Sequence, residues 1–154
     1  MMDVKAIDSH PVALLLALVC AILTAGGVGA DTLPAGTYFG GSGADGWYDV
    51  PVVQAPDGTV YLAGSTNSID IDLPAGSYQP EPAGGYDLVI ARFSADMTQL
   101  LAATYLGGTA ADASWPGVDL LLAPDGSLYV CSTSNSGDWP TTAGVYQENF
   151  IGGN

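Results

Sequence analysis

Basic residues are almost missing. Lys5 and Arg92 are the only two in 154 residues, against sixteen acids, and the formal net charge is −14. This balance argues against a nucleic-acid partner, because the phosphate backbone would be repelled, and it disfavours anionic membrane surfaces for the same reason. Histidine is limited to His10, and cysteine to Cys20 and Cys131. Beyond Ala30 the chain has no His, no Lys and one Cys. Without His, neither a Ser-His-Asp nor a Cys-His arrangement can be built there. Without Lys no Schiff base can form, and zinc lacks its usual thiol and imidazole ligands. A lone Cys131 allows no intramolecular disulfide, so a domain starting after Ala30 must rely on its core. The Gly-rich stretches lack the Lys and the following helix of a phosphate-binding loop. Paired carboxylates hydrolyse glycosides in other proteins, but fourteen acids beyond Ala30 make some pair inevitable. No catalytic, cofactor-binding or metal-ligating residue is therefore assigned, and the chain reads as a non-enzyme.

What is abundant is apolar residue and turn residue: 48% of the chain is hydrophobic, with 21 Gly and 10 Pro. That suits a β-rich chain with many turns rather than an acidic disordered tail. The first 30 residues stand apart. PVALLLALVCAILTAGGVGA (Pro11 to Ala30) carries no charge. Its centre, Val12 to Leu23, has the length of a secretory h-region, Gly26-Gly27 breaks a helix, and Val28 to Ala30 offers a cleavage site before Asp31. Residues 1–30 are thus expected to be a signal helix, or an uncleaved N-terminal anchor, the one case that brings a membrane in. Residues 31–154 are expected to be extracytoplasmic, secreted or in the cell envelope.

The second unit repeats itself. APDGTVYLAGSTNSIDIDLPAGSYQ (Ala55 to Gln79) recurs as APDGSLYVCSTSNSGDWPTTAGVYQ (Ala123 to Gln147), with 12 of 25 positions identical and no gap. TYFGG (Thr37 to Gly41) recurs as TYLGG (Thr104 to Gly108), Asp45 as Asp112, and Gly84-Gly85 as Gly152-Gly153. Within the period of about 68 residues the pattern predicts four strands: Val50 to Ala55, Thr59 to Ser65, Tyr86 to Ser94 and Gln99 to Gly108. Pro56-Asp57-Gly58 closes the first pair as a hairpin. A small sheet with two apolar faces must stack on neighbours. Antiparallel hairpins with long loops favour radial stacking, in which each four-stranded sheet is one blade.

At these residues the chain resembles the bacterial seven-bladed β-propeller repeat, often labelled SBBP. The resemblance is carried by Thr104 to Gly108, Asp112, Val118 to Ala123, Asp125-Gly126, Leu128 to Ser132, Thr141 to Gln147 and Gly152-Gly153, with the last strand, Asp87 to Phe93, in the first copy alone. Arg92 stands where that family usually has Lys. The resemblance covers 36 to 154 and implies an all-β fold of propeller-type repeats, about one and a half blades of four-stranded antiparallel sheet. The chain departs from the pattern where Trp47-Tyr48 gives way to Ser114 to Gly117, and it reaches Asn154 where a further DLVIARF-like strand is due. It is therefore expected to be part of a longer propeller. Self-association through open sheet edges is the lesser alternative.

Several residues have a chemical reading beside a structural one. Gly40 to Tyr48 fits the calcium nonapeptide G-G-x-G-x-D-x-U-x once, yet that motif works in tandem and Ala110 breaks the second copy, so a plain loop is the simpler expectation. Asp70 and Asp72 lie on one side of an extended segment and could offer oxygens to Ca²⁺. Only Asp70 recurs, as Asp138, and a solvated loop is expected. Cys131 aligns with Ala63 and is expected to be a small buried residue. Trp47, Trp115, Trp139, Tyr78 and Tyr146 could stack on sugars, but Tyr61 and Tyr129, like Tyr78 and Tyr146, repeat with the period, and periodic aromatics are expected to pack between sheets. The function expected is a non-catalytic scaffold or binding module for an extracellular protein or glycan. The alternatives are a carboxylate-dependent glycan-acting enzyme and a calcium-stabilised adhesion module.

Overall fold

The computed structural model describes residues 18–22, 35–114 and 117–152. The junction between Ala30 and Asp31, the Gly26-Gly27 pair and Trp115 lie outside the described residues. The described chain is all β, with eight strands: β1 Leu18–Ile22, β2 Ala35–Phe39, β3 Val52–Gln54, β4 Val60–Thr66, β5 Asp87–Phe93, β6 Leu100–Leu106, β7 Val118–Leu122 and β8 Leu128–Ser132. All neighbours run antiparallel, in a central four-stranded sheet ordered β3-β4-β5-β6 and two two-stranded sheets, β1-β2 and β7-β8.

The helix expected in the N-terminal segment is not seen in its described part. Leu18–Ile22 is a strand whose register on β2 runs from Leu18 opposite Phe39 to Ile22 opposite Ala35. β2 carries a row of backbone donors and acceptors that a helix could not pair. Val19 and Ile22 are also β-branched and suit the pleat.

The hairpins form for the reasons the sequence suggests. Gly58 takes φ +86° at the end of the Ala55 to Gly58 turn and Gly126 takes +88° in its copy. In each, the Gly N–H donates to the alanine carbonyl three residues back, at 2.9 Å. The carboxylates of Asp57 and Asp125 accept the N–H of the residue two further on, Thr59 and Ser127, at 3.0 and 2.9 Å. In the third hairpin the left-handed place falls to Met97 at φ 59°, and its side chain is buried in the core. Burial offsets a conformation that costs a non-glycine residue about 1 kcal/mol or more.

Both faces of the central sheet are apolar. Val60, Leu62, Val89, Ala91, Phe93, Ala103 and Tyr105 form one face and pack with Phe39 and Ala35 of β2. The rings of Phe39 and Phe93 meet edge to face, with centroids 5.5 Å apart. Ala63 and Leu88 lie on the other face and pack with Val118 and Leu120 of β7. The structure is thus a stack of three sheets, with β4 covered on both sides and β5 partly open on its outer face at Ile90 and Arg92. The short edge strand β3 is half exposed.

Leu62 is completely buried under β2. Leu62→Ala should lower the unfolding free energy by about 3 kcal/mol, the usual cost of a cavity of that size. Leu121→Ala on the exposed face of β7 should change it by well under about 1 kcal/mol. Denaturant melts of the two variants check both values.

Candidate functional site

The recurring polar residues of the loops come together in two copies of one arrangement. After β2 the chain turns through Gly40 to Asp45 and lies against the end of β4. Asp45, 3% exposed, accepts the Gly41 N–H at 2.9 Å and the Ser68 hydroxyl at 3.0 Å on Oδ2, and the Thr66 hydroxyl at 2.6 Å on Oδ1. Ser68 Oγ accepts the Gly43 N–H at 2.9 Å, and Asp70 Oδ1 accepts the Ser42 N–H at 2.8 Å. Asn67 Oδ1 takes the Ala44 N–H at 2.6 Å. Four successive backbone donors of a tight loop are thereby satisfied by four side chains, Asp45 from the loop itself and Asn67, Ser68 and Asp70 from beyond the end of β4.

The second copy repeats the pattern after β6. Asp112, fully buried, accepts the Gly108 N–H and the Ser136 hydroxyl, both at 2.7 Å. Ser136 Oγ takes the Ala110 N–H at 3.0 Å and Asp138 Oδ1 the Thr109 N–H at 2.9 Å. The isolated bridges Asp45–Thr66 and Asp112–Ser134 hold the same places. Gly46 at φ 67° is matched by Ala113 at φ 52°, so the left-handed step persists even where the glycine is lost.

Glycine is required here for space. A Cβ on Gly41 would run into Asp70 Oδ1 and Ser68, and one on Gly108 into Asp138 Oδ1 and Ser136. The G-G-x-G-x-D stretch is thus a loop that presents its N–H groups inward to carboxylates. The Asp45 oxygens that a cation would need are occupied by donors. Among the described residues no group of three His, Cys, Asp or Glu is arranged to hold a metal ion. Asp72 is exposed and takes no part in the arrangement.

A third carboxylate lies beside the second clasp. Asp87 opens β5 and is fully buried. Its Oδ2 accepts the Ala83 N–H at 2.7 Å, while Oδ1 has no donor, and Gly107 passes directly against it. Burial, with a smaller push from the Asp112 and Asp138 charges, raises the Asp87 carboxyl above its ordinary value. The exposed Asp70 and Asp138 move the other way. The backbone N–H of Ser42 holds Asp70 down, and that of Thr109 holds Asp138 down.

Two expectations need correction. Cys131 is exposed on β8, whereas Ala63, its counterpart, is fully buried. The periodic tyrosines are also exposed at Tyr78, Tyr129 and Tyr146, as is Trp47. Tyr61 is half buried, and only Trp139 of the candidates packs against a core cluster. For Cys131 and Tyr129 the reason is shared: the face that covers Ala63 in the first copy is supplied by β7, and nothing among the described residues covers the same face of β7-β8. Arg92 is absorbed locally. Its guanidinium donates to Asp57 at 3.0 Å and lies 5.3 Å from the Tyr61 ring centroid. Beside it the outer face of β5 and β6 is uncovered and lines a groove of about 390 Å³ with Ile90, Ala102, Thr104 and Leu128.

No family model, no curated protein and no solved structure matches this chain.

Asp45→Ala and Asp112→Ala should each destabilise by roughly 3 kcal/mol, because each strands a backbone N–H and at least one buried hydroxyl. Thermal melts beside an exposed control, Asp72→Ala, test this. The pH dependence has two signs. Asp70 and Asp138, whose carboxyls are lowered in the fold, stabilise above the unfolded value of about 4. That stability is lost as pH falls through their folded values. Asp87 is raised, so stability falls as pH climbs from about 4 through its folded value. Asp87→Asn should therefore melt higher than the native chain at pH 7, and the gain should vanish below about pH 4.

Proposed function

We propose that the protein is a non-catalytic scaffold built of β-propeller-type repeats. It acts outside the cytoplasm and presents loops to a protein or glycan partner. The observation that carries this reading is the exact recurrence of structure with sequence. β7-β8 repeats the register of β3-β4, with Val53 opposite Tyr61 becoming Leu121 opposite Tyr129. β2 and β6 each lead into an aspartate clasp of the same design. A four-stranded antiparallel sheet with long loops, apolar on both faces and stacked on like sheets, is the unit from which propellers are assembled.

The chemistry of the loops favours a scaffold over an enzyme. The buried carboxylates of Asp45 and Asp112 are spent on the backbone and hydroxyls around their own loops, which fixes loop shape. The uncharged segment from Pro11 to Ala30 supports export. The pairing of Leu18–Ile22 with β2 favours retention of that segment in the exported chain.

Three measurements test the reading. The melting temperature of the full chain should be the same with Ca²⁺ and with a chelator, because a scaffold held by its own carboxylates gains nothing from the ion. A clear Ca²⁺-dependent rise would favour the adhesion module, since a ligand bound only to the folded state raises stability by mass action. No turnover is expected on a panel of glycans. The intact mass of the exported chain should include residues 1–30.

A further inference from the structure

Among the described residues three buried side-chain atoms have no hydrogen-bond partner: Ser65 Oγ, Gln79 Nε2 and Asp87 Oδ1. Folded proteins pair nearly all such atoms, with protein or with ordered water. Two of the three are complementary, a donor and an acceptor, and both border Gly107. The Gly107 N–H donates to Gln79 Oε1 at 3.2 Å. That bond fixes the amide, with its oxygen on Gly107 and its Nε2 hydrogens directed elsewhere. Asp87 precedes Leu88, which lies opposite Leu106, so the same register brings Asp87 to Gly107. A Cβ on Gly107 would run into Asp87 Oδ1 and come within 3.0 Å of Asp112 Oδ2. The absence of a side chain there is what lets the carboxyl lie over the end of β6.

The neighbouring donors are committed elsewhere. Thr66, directly opposite Asp87, gives its hydroxyl to Asp45 at 2.6 Å. The Ser136 hydroxyl goes to Asp112 at 2.7 Å, and the Tyr105 hydroxyl to the Ser68 carbonyl at 3.0 Å. Ser65 lies opposite Leu88, so it projects from the other face of the pleat. Arg92, the only base among the described residues, is held by Asp57. The charges that face Asp87 are both acidic, Asp112 from the loop after β6 and Asp138 from the loop after β8.

We infer that one internal water is bound between Gln79 and Asp87, accepting a Gln79 Nε2–H and donating to Asp87 Oδ1. Asp112 Oδ2, on the same glycine, takes its second hydrogen. Three partners are the usual complement of a buried water. The chemistry selects water over an ion. A metal ion seeks oxygens, and here the amide presents hydrogens. An anion would meet two carboxylates. Gln79 already lines the free edge of β6: its N–H donates to Thr104 Oγ1 at 2.9 Å, and its carbonyl accepts the Tyr105 N–H at 3.1 Å. The water carries that edge contact across the end of β6 to the first residue of β5. Gln79 is then a positioning residue for the Asp87 charge. Acting through the water, it favours the ionised carboxyl and opposes the effect of burial. The inference rests on hydrogen bonding and is independent of the repeat reading.

The test uses the full chain. A crystal structure that shows ordered solvent should place one water at about 2.7–3.2 Å from both Gln79 Nε2 and Asp87 Oδ1. A direct bond between the two side chains, close packing with no solvent between them, or an ion at the about 2.3–2.6 Å typical of calcium would overturn the inference. Carboxyl titration by NMR gives a second readout. Gln79→Met removes the donor and should raise the Asp87 midpoint by about one pH unit, with those of Asp70 and Asp138 unchanged. A residue that only braces Gly107 would leave the Asp87 midpoint where it is, and that result would also sink the idea. If Gln79→Met does not fold, the native chain decides: its Gln79 amide hydrogens should show magnetisation transfer from a long-lived water, and none would be seen without one.

Discussion

A sheet that is apolar on both faces cannot remain alone in water, and the rest of this structure follows from that constraint. β4 and β5 place leucine, valine, alanine and phenylalanine on both sides of the pleat. Burying one face would still leave the other wet, at about 25 cal/mol for each Å² of apolar surface. The chain meets the demand with like sheets on either side, β2 over Val60, Leu62 and Phe93 and β7 over Ala63 and Leu88. The solution passes the problem outward, because each added sheet brings a new open face. Repetition in the sequence is the chemical record of that demand.

Stacking requires that the chain leave one sheet and enter the next along a fixed path. The aspartate clasps supply it. A glycine-rich turn has no side chains to pack and exposes a run of N–H donors. Unpaired and buried, each such donor costs about 1–3 kcal/mol. Asp45 and Asp112 meet those donors from within the loop, and Ser68 and Asp70, like Ser136 and Asp138, meet them from the adjacent strand end. Buried carboxylates are ordinarily expensive. Here each accepts several donors, which is what makes a charge in that place tolerable. Asp87 has one oxygen without a donor, and burial, with a smaller push from the Asp112 and Asp138 charges, raises its carboxyl.

The strands and hairpins were legible in the sequence because they rest on local rules: alternation, β-branched residues and the Pro-Asp-Gly turn. The clasp was not, because nothing local distinguishes a loop aspartate that binds its own backbone from one that binds water or a cation. A signal was present in retrospect. Asp45, Ser68 and Asp70 recur as Asp112, Ser136 and Asp138 while their neighbours drift, and polar residues retained in a loop repeat usually hold backbone. Cys131 and the tyrosines were misread for a different reason. Periodicity marks equivalent positions in the two copies, but burial also needs a neighbouring sheet, and sequence period says nothing of which neighbours are present. The strand at Leu18–Ile22 could not be foreseen from composition, because an uncharged apolar run satisfies a helix, a membrane and a sheet equally well.

Charge is divided unevenly between the loops and the strands of this stack. Among the described residues the acids lie mostly in turns and loops, as at Asp57, Asp70, Asp96, Asp125 and Asp138, where each accepts a backbone N–H. The strands carry few charged residues: Asp87 and Arg92 in β5 and Asp119 in β7. Arg92 is neutralised where it stands by Asp57. Repulsion between molecules therefore acts through the loops, over about 8–10 Å at physiological ionic strength, while the faces and free edges stay uncharged. A loop-charged, strand-neutral surface disfavours random collapse, since most approaches bring acid against acid.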